Sequence, residues 1–193
     1  MTRPPSRGPA SAGRGEAENG RVPAAVVRSV TVVDEGLRAE LLACWVDVTN
    51  AGGAVGFVPP VTGEDVVPLL DKLLEGVHSG RDVLAQLVVD GRTAGFASVV
   101  GSLSPLRRHW GTVLRVQVHP SRQGQGLGRV LMEGVHRIAR ERGWEFLHLT
   151  ARGGTGVDEF YKGLGYREVG RLPGAIRVAP GDDRDEIVMA CPL

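Results

Sequence analysis

Three short stretches of this sequence carry residues whose types and spacing suit chemistry. The first is VHPSRQGQGLGRVLMEGV, residues 118–135, where Gly124, Gly126 and Gly128 alternate between an apolar strand-like run and an amphipathic helical one. Such a turn gathers free backbone N–H groups and the positive end of a helix dipole, and glycine lets an anion approach the main chain. The spacing narrows the anion. Arg129 and Val130 stand where a Walker loop needs Lys and Ser or Thr. One residue separates the last two glycines where the dinucleotide fingerprint needs two. What remains is another phosphate-bearing ligand or a purely structural strand-to-helix connection. The second stretch is EFLHLT, where His148 alternates with Leu147 and Leu149 and so faces either a cavity or solvent. In the third, EFYKGLGY, Phe160 is the inward-facing neighbour by pattern, which leaves Tyr161 to face a cleft or to serve as core.

The elements that must position these groups follow from the hydrophobic pattern. Residues 1–23 are dense in Pro, Gly, Ser and charge and read as a disordered tail ahead of a single domain over residues 24–193. AAVVRSVTVV reads as a strand, and Asp34 caps a helix carrying Leu37, Leu41, Cys44, Trp45 and Val48. NAGGAVGF breaks that pattern. Thr62 and Asp65 then form a capping box for a second helix bearing Val66, Leu69, Leu70, Leu73, Leu74 and Val77. Pro68 is tolerated only near that helix's first turn, which leaves its start open. Asp90-Gly91 predicts a tight hairpin between two apolar strands, and GTVLRVQVH follows as a third after a loop containing Pro105, Arg107, Arg108 and His109. Leu127, Val130, Leu131, Val135 and Ile138 form one stripe of a long helix that Gly143 ends. The strand EFLHLT, the short helix GVDEFYKGL and the strands YREVGRL and EIVMACPL close the chain, with PGAIRVAPGDDRDE between the last two read as a loop. The order β, α, α, β, β, β, α, β, α, β, β is an α/β chain with a mostly antiparallel sheet and one βαβ crossover around the glycine turn.

Composition bounds the function. A chain of 193 residues with 42% hydrophobic content can bury a real core, and a formal charge of +1 gives no general grip on nucleic acid or anionic lipid. No apolar run approaches the roughly 20 residues of a membrane span, so the reading is no membrane and no nucleic acid as partners. Cys44 and Cys191 lack metal-ligand spacing and suit a reducing compartment, so the expectation is a cytoplasmic protein with no metal site.

Gln123, Gly124, Gln125, Gly126, Leu127 and Gly128 match Q/R-x-x-G-x-G/A, and here the chain resembles the Gcn5-related N-acetyltransferases, the GNAT superfamily. Downstream, EFYKGLGY is similar to that superfamily's short helix ending in F-Y-x-x-x-G-F/Y. The resemblance covers roughly residues 25–193, and GGAVGF, FLHLT and VGRLPG resemble the tabtoxin-resistance type within it. It implies a GNAT-like mixed sheet with about four flanking helices and splayed central strands. It also implies acetyl-CoA as cosubstrate, its pyrophosphate on the amides from Gln123 to Gly128, beside Arg129, with the Gln123 and Gln125 side chains at the rim. The main chain of Val116, Gln117 and Val118 would pair with the pantetheine arm, Phe160 would pack under the cofactor or in the core, and Tyr161 would be the acid that protonates the departing thiolate. His119 would lie at the strand end near the cofactor phosphates.

The chain departs from the family pattern where many relatives carry a carboxylate to deprotonate the acceptor. The corresponding stretches offer Thr112 and Thr150, and Gly154 replaces the usual Asn before the tyrosine motif. The implied reaction is direct transfer of an acetyl group to a primary amine of a small molecule, with water relayed by Thr150 or His148 as base. The acceptor would enter between NAGGAVGF and the final loop, where Asp182, Asp183 and Asp185 would attract an ammonium or simply form a solvated turn. The alternatives are a non-catalytic acetyl-CoA-binding module and a protein lysine or N-terminal acetyltransferase, as monomer or homodimer.

Overall fold

A computed structural model describes residues 25–193; the expected tail, residues 1–23, lies outside the described residues. The elements are β1 (Ala25–Val30), α1 (Glu35–Asn50), α2 (Gly63–His78), β2 (Val83–Val89), β3 (Arg92–Gly101), β4 (Trp110–Val118), α3 (Leu127–Glu141), β5 (Phe146–Arg152), α4 (Val157–Lys162), β6 (Arg167–Ala179) and β7 (Asp182–Pro192). This is the order read from the sequence.

Local chemistry sets the boundaries. Asp34 Oδ1 accepts the Leu37 N–H at 2.7 Å and starts α1. The Thr62 N–H donates to Asp65 Oδ2 at 2.8 Å and starts α2 at Gly63. Pro68 thus sits one turn deeper than expected, inside the helix, where it removes one N–H and frees the Glu64 carbonyl. Asp90 and Gly91 both adopt left-handed φ values, 53° and 77°, as the tight β2–β3 turn requires.

The strands form one seven-stranded sheet in the order β1-β2-β3-β4-β5-β7-β6. All neighbours are antiparallel except β4 and β5, the two strands joined through α3. One face packs Leu127, Leu131, Met132, Val135 and Ile138 of α3 against Val113, Leu147 and Leu149. The other packs Leu41, Trp45 and Val48 of α1 and Val66 and Leu70 of α2 against Leu84 and Phe96.

The region expected as a final loop is instead the distal half of the β6–β7 hairpin. Ile176 pairs with Arg184 and Arg177 with Asp183. Pro173 and Gly174 mimic a loop in sequence, but the register shift between Leu172 and Ile176 absorbs them on an edge strand.

Candidate functional site

The site begins where the sheet opens. β4 and β5 pair only at Trp110–Phe146, Gly111–Leu147 and Thr112–His148, so from Val113 onward the β5 side of β4 has no strand partner among the described residues. On the β3 side, Phe96 pairs with Gln117 and Ser98 with Leu114, which leaves Arg115 and Val116 bulged opposite Ala97. Arg115 takes φ 56°, unusual for a side chain of its size.

Two cavities fill the opening. One, of about 400 Å³, runs from Gln123 past Gln117 and Val118 to Thr155 and Val157. The other, of about 390 Å³, lies among Gly56, Phe57 and Val58, Leu114 and Arg115, and Ile176, Arg177 and Val178 of the hairpin. Val116, Thr150, Ala151, Arg152 and Tyr161 line both. The α1–α2 connection is held over them because Trp45 Nε1 donates to the Val55 carbonyl at 3.0 Å. The Asn50 amide adds one bond to each backbone polar group of Val61 at 2.9 Å.

At the outer end of the first cavity the glycine turn presents its main chain. Gly124 and Gly126 have φ 75°, and a Cβ on either would enter open space. Among the described residues, none of the amides from Gly124 to Gly128 donates to a backbone carbonyl, while the Gly126 carbonyl accepts from Arg129 and Val130 to start α3. Such a turn, at the start of a fifteen-residue helix, has the geometry that could cradle an anion. Gln123 Nε2 donates to the Val118 carbonyl at 2.9 Å and so ties the turn to the end of β4. Gln117 is 3% exposed, and neither polar atom of its side chain has a partner among the described residues. Free amides, a connected cavity and an orphaned buried amide together fit a phosphorylated ligand with an amide-bearing arm.

Tyr161 is 7% exposed, and burial pushes its phenol up to about 12, so it is protonated at neutral pH. Thr150 is exposed to the opening. His148 lies two residues back on the same strand face and lines neither cavity; its Nδ1 is 3.4 Å from Thr112 Oγ1. Burial holds His148 below the ordinary imidazole value. Phe160 packs edge-on to Tyr161, with ring centroids 5.2 Å apart, and would touch a Cβ placed on Gly128 at 3.5 Å. Arg129 donates to the Gly163 carbonyl at 3.2 Å and closes the end of α4, while Gln125 Nε2 turns back to the Ser121 carbonyl at 3.4 Å. His119 bonds Ser121 and Asp47, at 2.8 and 3.2 Å, rather than standing free beside the turn.

The acids expected to attract an ammonium are already paired. Asp183 accepts from Arg177 at 2.7 and 2.9 Å, Asp185 from Arg171 and the Gly174 N–H at 3.1 Å each, and Asp182 from Arg184. These partners hold the Asp183 and Asp185 carboxyls below their ordinary range. None of the three lines either cavity; the hairpin offers Ile176, Arg177 and Val178 there instead. Sequence reading also passed over Arg115 and Arg152, which line the second cavity. A charged residue inside the apolar run VLRVQV was the available signal.

The splayed parallel pair, the bulged strand and the glycine turn all fall within the stretch that is similar to a known domain. Residues 83–168, from β2 into β6, match the sequence model of the acetyltransferase (GNAT) domain. Over that stretch the chain is similar to GNAT acetyltransferases, which supports reading it as an N-acetyltransferase. Among solved structures, the ribosomal-protein-alanine N-acetyltransferase from Brucella melitensis superposes with TM-score 0.69 at 22% identity, covering 87% of this chain and 99% of that one. A GCN5-related N-acetyltransferase from Kribbella flavida gives 0.71 at 22% identity, over 88% and 98%. A protein provisionally assigned as a phosphinothricin N-acetyltransferase gives 0.73 at 18%, over 88% and 99%. At these identities the likeness is one of fold. Among the described residues, no helix is long and apolar enough to cross a membrane.

Proposed function

We propose that this protein transfers the acetyl group of acetyl-CoA directly to the primary amine of a small molecule, at the junction of the two cavities. The observation that carries the reading is that Tyr161 and Thr150 line both cavities, one of which reaches Gln123 at the start of the glycine turn. The pyrophosphate is assigned to the amides from Gly124 to Gly128 and the pantetheine arm to the free main chain from Val116 to Val118, with the thioester beside Tyr161. The acceptor is assigned to the cavity under Gly56–Val58.

The chemistry needs a neutral amine, a polarised carbonyl and a proton for the leaving sulfur. A main-chain amide near Gln117 or Val118 serves the carbonyl, and Tyr161 donates to sulfur. Among the described residues, no Asp or Glu lines the acceptor cavity, whereas Arg115, Arg152 and the Asp183-paired Arg177 do. Nearby positive charge disfavours an ammonium, so an acceptor amine there sheds its proton more readily than in water. That lightens the task of a base supplied by water on Thr150, with neutral His148 behind it, and it accounts for a site without a carboxylate base.

The acceptor cavity is closed on three sides by the α1–α2 connection, the sheet and the hairpin, which favours a small molecule over a folded protein surface. Measuring initial rates of thiol release while varying both substrates tests the reading. Intersecting lines are expected for transfer within a ternary complex. Parallel lines would show a covalent acetyl-enzyme and contradict it. Tight coenzyme A binding with no transfer to any amine would leave a binding module.

A further inference from the structure

The acceptor cavity holds a charged group that the fold leaves without a partner. Arg115 stands on the β4 bulge, and its guanidinium carbon lies 5.4 Å from the centroid of the Trp45 ring. Gly56, at φ 102°, is a second neighbour: a Cβ there would collide with Arg115 Nη1. The head group thus has both an aromatic ring and the Gly56 backbone beside it, at a left-handed position that favours glycine. Arg115 is half-buried and makes no hydrogen bond or ion pair with any described residue. By contrast, Arg38, Arg81, Arg171, Arg177 and Arg184 each meet a carboxylate. Loss of water pulls the Arg115 pKa below the usual arginine range.

A partly desolvated guanidinium with no acceptor among the described residues is well placed to take one from a ligand, and its planar fork matches an oxyanion two bonds at a time. Arg152 lines the same cavity from β5, and its guanidinium makes a long hydrogen bond of 3.3 Å to the Gly52 carbonyl. The wall therefore repels polycationic amines and favours molecules that bring negative charge with them.

We propose that Arg115 is the anion anchor of the acceptor site and that the acceptor is a primary amine carrying a carboxylate or comparable oxyanion. The oxyanion pairs with Arg115 while the amine reaches the junction at Tyr161 and Thr150. This rests on the assignment of the cavity under Gly56–Val58 to the acceptor.

The test uses the full chain with saturating acetyl-CoA and a panel of α-, β- and γ-amino acids, each paired with its carboxamide, which keeps the shape and removes the charge. Thiol release is followed for wild type, Arg115→Gln and Arg115→Lys, each checked for folding by circular dichroism. For at least one pair, wild type is expected to prefer the acid by about 10-fold or more in kcat/KM, the scale of one lost charged contact. In Arg115→Gln that ratio falls toward 1, through KM for the acid, with KM for acetyl-CoA held. Arg115→Lys recovers part of it. Equal losses for acid and carboxamide, or a wild type indifferent to the charge, overturn the proposal. If no amine is acetylated, the transfer reading fails, and the anchor is decided by calorimetry of the same acids against the coenzyme A complex. Binding of an acid that its carboxamide does not share and Arg115→Gln abolishes supports the anchor, and binding indifferent to the substitution, or none, overturns it.

Discussion

Where the two cavities meet, Tyr161 combines burial with access to ligand space, and both properties bear on its role. A coenzyme A thiolate resembles a cysteine thiolate, of pKa about 8.5, and leaves poorly unless protonated as the tetrahedral intermediate collapses. Tyr161→Phe removes one oxygen and keeps the ring packed against Phe160 and Tyr166. Turnover is expected to fall by roughly 10² to 10⁴-fold with coenzyme A affinity retained, read by single-turnover kinetics and calorimetry. A loss of affinity instead would make Tyr161 a cofactor contact. Burial raises the folded phenol from 10 to about 12, so the folded state holds its proton where the unfolded chain has lost it. The Tyr161 contribution to stability is therefore constant below about pH 10 and falls from there toward 12, and Tyr166, pushed up in the same way, adds to the fall. Denaturant midpoints across that range should drop less steeply in Tyr161→Phe. His148 and His136 have the opposite sign. Both are held below the ordinary value of 6.5, so their contribution is present above it and is lost as pH falls.

Among the elements, the glycine turn and the β6–β7 hairpin make contrasting predictions. Gly126→Val forces a β-branched residue into φ 75° and sends its side chain into the open space before the cradle. Coenzyme A affinity should fall at least about 10-fold in calorimetry, with a stability loss of roughly 1–2 kcal/mol from the left-handed conformation. An unchanged affinity in a folded variant would move the cofactor site elsewhere. Asp183→Asn breaks a cross-strand pair with Arg177, and solvent screening of this exposed ion pair leaves it little weight in stability. The acceptor KM should change by less than about threefold, whereas an acid recruiting the substrate would change it far more.

The difference between these elements also separates what could be read in the sequence from what could not. Asp34, Thr62 with Asp65, and Asp90-Gly91 act within a few residues, and each sets the boundary expected of it. The distal hairpin was opaque because its Pro and Gly residues resemble a loop and the pairing that overrides them is between strands. For His148, alternation along β5 gave the face but not the distance from the opening. Arg115 stood out only as a charge inside an apolar run; where it points depends on a bulge against β3 and on the approach of Gly56, which the sequence does not show.

At the scale of the molecule, the site exists because one sheet is paired at one end of β4 and β5 and open at the other, with a helical layer or connection on each face of the gap. Residues 25–193 supply every group assigned to the reaction. Removing residues 1–23 is therefore expected to leave the melting temperature and turnover nearly unchanged, and a marked drop in either would show that this segment packs on the domain. The account as a whole stands on acetyl transfer at the gap, which is tested most directly by incubating the full chain with acetyl-CoA and a panel of amines and quantifying free thiol and acetylated product together. The expected result is amine-dependent release of thiol matched one for one by an N-acetylated amine, lost in Tyr161→Phe. Thiol release that ignores the amine, or saturating coenzyme A binding with no acetylated product from any amine, would contradict it.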